Sequence, residues 1–300
     1  MIKQIILYIV VLTMIHSIEY DIDKNMLNNA TSYIAGLNMK KDYKKAKNIL
    51  LPLCSKKIIG SCYLLSKVYF NGGYGLDKNI SKSKHYKELS CKYGVGLACF
   101  NIAKDFFEED KDAKGIYYLK KSCDNYLVKG CQALGLIYEG RGVNNDYKKA
   151  IQFYSKACTL QDSFSCYAKG LLYLKGLGTN KDFNEVVTCF EKACDLKNAN
   201  SCYSLASIYY YGKYQKQDYQ KAITLYKKSE KLGQPKGLLT LGSMYYKGLG
   251  VDKNVTKAIK LFKKCCDNNI SMGCDALEKI QRESLKENSK TKNNVQTKAR

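Results

Sequence analysis

The chain has 300 residues, 45% of them apolar, with 50 lysines and arginines against 27 acidic residues and a formal net charge of +23. Two prolines, no tryptophan and 26 tyrosines exclude collagenous and proline-rich linker classes and favour helices with tyrosine-rich packing faces. Only two histidines are present, which disfavours a histidine-based metal centre or catalytic triad.

The first residues, MIKQIILYIVVLTMIHSIEY, place one lysine before an apolar run from Ile5 to Ile15, with Ser17 following and charge beginning at Glu19. The pattern predicts a signal peptide over residues 1–17, cleaved near Ser17. The run is short for a membrane span, and an uncleaved anchor is the alternative. Export fits the fourteen cysteines, because thiols persist as disulfides in an oxidising compartment. A short segment, 18–26, then leads into an array expected over 27–280.

That array repeats. Cys54, Cys91, Cys123, Cys158, Cys194, Glu230 and Cys266 follow one another at intervals of 37, 32, 35, 36, 36 and 36. Eight residues after each stand Cys62, Cys99, Cys131, Cys166, Cys202, Leu238 and Cys274. A fixed period of this length is the signature of a solenoid, and the unit that lacks one cysteine lacks both. Four residues past the second position the residue is small (Ser66, Ala103, Gly135, Gly170, Ala206, Gly242), and three further on it is aromatic (Tyr69, Phe106, Tyr138, Tyr173, Tyr209, Tyr245). This spacing predicts one helix with a close-approach residue and a ring on the same face. Glycines end it, as in Gly140-Arg-Gly142, Gly176-Leu-Gly178 and Gly248-Leu-Gly250. Asp42, Asn79, Asp146, Asp182, Asp218 and Asn254 then stand where each would N-cap a second helix. The third unit is shortened and has Lys111 at that place, so a tighter turn or bend is expected there. After residue 280, the polar and basic tail 281–300 reads as disordered.

The small-x2-aromatic of the first helix and the Ala150-x3-Tyr154-x2-Ala157 of the second resemble tetratricopeptide-like units, and the stretch from Gly140 to Ala150 resembles the Sel-one-like repeat. With cysteines at this spacing the chain is similar to the Helicobacter cysteine-rich protein family. The resemblance implies an all-α fold, an α/α solenoid and right-handed superhelix of about seven helix-hairpin repeats. It also brings in weak penicillin binding and β-lactamase activity.

In each unit the first cysteine ends one helix and the second opens the next. Helix axes roughly 8–10 Å apart let Cα atoms near such a turn come within disulfide reach, and the short cysteine spacing of structural zinc sites is absent. The expected bridges are Cys54–Cys62, Cys91–Cys99, Cys123–Cys131, Cys158–Cys166, Cys194–Cys202 and Cys266–Cys274. Cys189 and Cys265 are left over at apolar packing positions, as free thiols behaving as small hydrophobes.

For catalysis, Ser81-Lys82-Ser83-Lys84 and Ser289 to Lys292 match S-x-x-K, but S-D-N and K-T-G are absent. Ser81 aligns with Lys148, an ordinary position near a helix start, and His85 lies among lysines as a surface residue. No catalytic residue, metal or cofactor is assigned. The expectation is an exported, monomeric scaffold whose concave face binds a protein, peptide or cell-wall-like ligand. The positive charge favours acidic partners such as anionic lipid or lipopolysaccharide surfaces, acidic proteins or glycans, with a peptidoglycan fragment among the expected ligands; nucleic acid is disfavoured by export. The rival class is an enzyme acting on β-lactams.

Overall fold

A computed structural model describes residues 21–141 and 145–283. The expected signal peptide and the tail from residue 284, including Ser289 to Lys292, lie outside the described residues. Among the described residues the secondary structure is helical apart from one isolated β-bridge between Gly73 and Leu76. The helices are α1 (residues 21–35), α2 (Tyr43–Ser55), α3 (Ser61–Asn71), α4 (Ile80–Lys92), α5 (Gly96–Glu108), α6 (Asp112–Asp124), α7 (Val128–Leu136) and α8 (Tyr147–Thr159). They continue as α9 (Ser163–Lys175), α10 (Phe183–Asp195), α11 (Ala199–Tyr211), α12 (Tyr219–Lys231), α13 (Gly237–Lys247), α14 (Val255–Asp267) and α15 (residues 271–283). This is an α/α solenoid, divided into two compact units that meet in sequence between Leu134 and Gly135. The helix α1 reaches back ahead of residue 27, where Asp23 is buried and accepts from Lys56 Nζ at 3.1 Å.

Local chemistry sets the helix starts. Asp42, Asn79, Asp146, Asp182, Asp218 and Asn254 each accept a hydrogen bond from a backbone N–H in the first turn of α2, α4, α8, α10, α12 and α14. Each such cap is worth about 1 kcal/mol. Helix α6 begins after Lys111 without a side-chain cap, and its turn is tight, with Asp110 at φ 56°. Asp162 and Asn198 also cap α9 and α11. At the far ends, Gly176 and Gly248 close α9 and α13 in the left-handed region, where an absent Cβ removes the strain. Helix α7 ends differently: it widens into a π-type turn, Ile137–Arg141, with Gly140 at φ 122°.

The helices pair most closely across glycine-containing loops, α3 with α4 in the first unit and α9 with α10, α11 with α12 and α13 with α14 in the second; α5 and α6 pair as closely across the short, glycine-free turn Glu109-Asp110-Lys111. The small residues make this possible. A Cβ added at Gly135, Gly170 or Gly242 would lie 2.4, 2.7 or 2.6 Å from a ring atom of Tyr154, Phe190 or Phe262. The ring therefore sits in the notch that the glycine leaves. In the second unit Phe190, Tyr226 and Phe262 join Val186, Leu205, Leu241 and Met244 in one core; in the first, Leu50, Leu65 and Val68 do the same.

Disulfides join the second helix of one pair to the first helix of the next. The structure has Cys54–Cys62, Cys91–Cys99, Cys123–Cys131, Cys158–Cys166, Cys194–Cys202 and Cys266–Cys274, with Cα atoms between 4.6 and 4.9 Å apart. Small residues flank these junctions: a Cβ on Gly130 would meet Ser122 Oγ at 2.5 Å, and one on Gly273 would meet Cys265 Sγ at 2.9 Å. Cys189 and Cys265 carry no disulfide and are buried. Burial pushes the Cys189 thiol up to about 11, and burial also raises Cys265. Both therefore stay protonated near neutral pH, where a thiol is a poor nucleophile.

Candidate functional site

The repeat supplies its own baseline against which an unusual residue can be recognised. Four residues before the first cysteine position stand Leu50, Leu119, Tyr154, Phe190, Tyr226 and Phe262, all buried. Six residues after the second stand Val68, Ile137, Leu172, Ile208, Met244 and Ile280. In α4 and α5 these two places are held by Lys87 and Asp105, whose charged ends meet at 2.7 Å. A lysine stem fills less space than a ring, and a cleft of about 230 Å³ opens here between α3, α4 and α5.

One wall of the cleft is the face of α3 that carries Tyr63, Lys67 and Phe70, and the other is the face of α5 with Asn101, Lys104, Asp105 and Glu108. The walls are tied together: Asn101 Nδ2 donates to the Tyr63 hydroxyl at 2.9 Å, and Lys67 Nζ lies 4.9 Å from the Tyr63 ring centroid. At the floor, Ser83 Oγ donates to the Ser66 carbonyl and Ser66 Oγ to the Tyr63 carbonyl, each at 2.7 Å. These hydroxyls are committed to backbone, so neither is a poised nucleophile. Phe70 is 54% exposed at the rim. Asp105 is also well exposed, at 46% of its side chain, and an ion pair so wetted contributes at most about 1 kcal/mol. An apolar contact would hold this place at least as well. What the cleft offers is recognition: amide and ammonium donors, carboxylate acceptors and one apolar ring.

The sequence motifs lie elsewhere. Ser81 and Lys84 are both exposed on α4 and neither lines the cleft; His85 is exposed next to them. Among the described residues no group of three histidine, cysteine, aspartate or glutamate side chains is placed to hold a metal. Lys87 and Asp105 were not singled out in the sequence, although the signal was present as a charge at a place that is apolar in the other units.

Part of the basic charge has a repeated structural place. In the first turn of the second helix of each pair, Lys45, Lys82, Lys114, Lys149, Lys221 and Lys257 put Nζ over Tyr33, Tyr69, Phe106, Tyr138, Tyr209 and Tyr245. The distances to the ring centroids run from 4.2 to 5.5 Å, within cation–π range. Helix α10 has Glu185 there instead. The cation is supplied from α9 by Lys169, 5.4 Å from the Tyr173 centroid and 3.1 Å from Glu185.

Comparison with known proteins follows the same repeats. A family model described as Sel1 repeat matches residues 59–92, 97–126, 128–162, 163–198, 199–234 and 235–270. The chain is 30% identical over 148 residues to Cytochrome c oxidase assembly factor 7 of Xenopus tropicalis, covering 45% of this chain and 64% of that protein. The match thus spans less than two thirds of the relative's length. The solved structure of a protective antigen present in uropathogenic Escherichia coli strains, displaying an SLR fold, superimposes with TM-score 0.69 over 88% of this chain and 58% of that one, at 24% identity. A likeness at that identity concerns the fold alone. Helicobacter pylori cysteine rich protein B is 38% identical over 46% of this chain and 99% of that one, with TM-score 0.36.

Proposed function

We propose, from the premise that this chain belongs to the Sel1 repeat family, that it is an exported scaffold whose cleft between α3, α4 and α5 holds an extended peptide segment of a protein partner. One observation carries this reading. Lys87 and Asp105 occupy places that are apolar in the other repeats, and a charged pair there adds little stability. Retaining it makes sense where something must be recognised. Lys67 and Lys104 can meet acidic side chains, Asn101 can pair with a backbone amide, and the Phe70 ring can cover an apolar residue.

The test is positional. A photo-crosslinking phenylalanine analogue replaces Lys104 at the cleft or Lys148 on α8, and the oxidised protein is exposed to envelope and host extracts. A partner segment should attach at position 104, not at 148, and should be lost when Lys87→Leu and Asp105→Ile restore the apolar pair. The same adduct at both positions, or its survival in the double variant, would sink the cleft as the site.

Export rests on six disulfides in one chain, which are kept in oxidising compartments. N-terminal sequencing of the protein recovered outside the cytoplasm should begin just after Ser17; a chain beginning at Met1 would refute cleavage there.

A further inference from the structure

In the second unit, the tyrosine near the end of α9, α11 and α13 has a lysine ammonium over its ring. Tyr209 of α11 lies between α10 and α12. Lys221 Nζ donates to its hydroxyl at 2.8 Å, and the hydroxyl donates to Glu191 Oε1 at 3.3 Å. The capping residue beside it is Asp218. One repeat earlier, Tyr173 has Lys169 paired with Glu185; before that, Tyr138 has Lys149 paired with Asp146 at 2.8 Å. A cation over the ring and a carboxylate beside the cation recur in each.

Tyr245 of α13 occupies the same place between α12 and α14, with the acids gone. The position of Glu191 is taken by Lys227, and that of Asp218 by the neutral Asn254. The usual lysine remains as Lys257. The two ammonium groups lie 4.2 Å (Lys257) and 5.9 Å (Lys227) from the ring centroid. Among the described residues neither forms an ion pair with a carboxylate. Burial raises the Tyr245 phenol, but hydrogen bonding and charge from Lys257 and Lys227 outweigh it and hold the group below the ordinary tyrosine value. An open cleft of about 600 Å³ gives access, lined by Tyr245, Lys257, Asn254 and Gln220, with Asp252 in its loop.

We propose that Lys227, Lys257 and the Tyr245 hydroxyl form a carboxylate-binding site, filled by a glutamate or aspartate side chain of an acidic peptide. The protein contains the template for this complex: Glu191 beside Tyr209 and Lys221 is the internal version of the ligand group that the Tyr245 site lacks. The inference rests on the reading of the chain as a peptide-binding scaffold, but it uses residues of the second unit only.

The experiment uses the full oxidised protein, labelled for backbone-amide NMR and titrated with a blocked tetraglutamate peptide at constant ionic strength. Tyr245 and Lys257 should shift saturably while Tyr209 and Lys221 stay in place. Lys227→Glu, which rebuilds the Glu191 arrangement at an exposed position, should weaken binding by about tenfold or more, the equivalent of 1.4 kcal/mol. Lys148→Glu makes the same charge change on α8 and should leave it unaltered. Equal weakening by both variants would reduce the effect to general attraction and overturn the site. So would shifts that never saturate. Inorganic phosphate titrated in place of the peptide, if it bound as tightly at Tyr245, would overturn the carboxylate assignment. The Lys87→Leu/Asp105→Ile variant should retain the Tyr245 shifts, which separates failure of the first-unit cleft from failure of this site; their loss there would refute a local site.

Discussion

Ser90 and Ser122 each bury a hydroxyl that has no hydrogen-bond partner among the described residues. Both stand directly before the first cysteine of a disulfide, at a place where other units have Leu53, Ala157, Ala193, Ser229 or Cys265. At Ser122 the packing demands a small residue, as the closeness of Gly130 to its Oγ shows, but it does not demand an oxygen; Ser229, by contrast, donates to the Ala199 carbonyl at 3.1 Å. An unsatisfied buried hydroxyl is unfavourable by about 1–3 kcal/mol, so Ser122→Ala should raise stability by about 1 kcal/mol in denaturant unfolding; a less stable variant would mean that the hydroxyl is bonded after all. A second residue-scale expectation concerns Ser81. It is exposed on α4, does not line the cleft and lies in a chain without S-D-N or K-T-G, the partners of a serine nucleophile in β-lactam enzymes. Hydrolysis of a chromogenic β-lactam should stay near background and be unchanged in Ser81→Ala. Saturable turnover that vanishes in that variant would make Ser81 and Lys84 catalytic candidates. The caps Asp42 to Asn254 were legible in the sequence because donor and acceptor lie within one turn. Lys87 and Asp105 were not, since each taken alone resembles an ordinary solvated charge and the pair forms across two helices.

At the scale of helices and turns, the junction between α12 and α13 stands apart. Glu230 and Leu238 hold the places of a cysteine pair. Leu238 is buried, and Glu230 accepts from Lys264 Nζ of α14. An exposed ion pair contributes a few tenths to 1 kcal/mol, against about 2.5 kcal/mol for closing a ring of roughly nine residues. Hydrogen exchange should therefore be faster over residues 228–240 than at the bridged turns; equal or stronger protection there would contradict this. Nonreducing peptide mapping of the oxidised protein should return the six eight-residue pairs from Cys54–Cys62 to Cys266–Cys274, and a bridge that skips a unit would contradict the structure. Helix order and the glycine-closed ends could be read from spacing alone, because cap, ring and glycine recur in fixed steps. The π-type turn after α7 could not: Gly140 and Gly142 look like the glycine pairs of other units, and the difference lies in how the chain around Gly140 packs on Asn145. That residues 21–26 are helical was also hidden, since Asp23 is held by a residue as distant as Lys56.

At the scale of the whole chain, the solenoid spreads its stability over many similar junctions, so a single cleft can depart from the repeat without endangering the fold. Restoring the apolar pair with Lys87→Leu and Asp105→Ile should leave stability unchanged or raise it by about 1 kcal/mol, whereas Asp105→Ile alone leaves the mostly buried Lys87 without its partner and should lower it, and Lys87→Leu alone leaves Asp105 in water and should change it little. Calorimetry of the three variants checks this, and a destabilised double variant would mean that the charges are structural. The α/α architecture was legible because the 36-residue rhythm runs through most of the sequence; ligand choice was not, because it resides in the few positions that break the rhythm. The cystines carry one more consequence. Each closes its own short ring, and no ring encloses another. In a chain threaded out amino end first, every staple can form from the two thiols that have most recently emerged, before the next pair is in reach, and no shuffling is needed. Two thiols interrupt that order: Cys189 emerges just ahead of Cys194, and Cys265 just ahead of Cys266. Oxidative misfolding of this protein thus has two built-in points of entry, and both are closed only when α10 and α14 have buried their apolar faces.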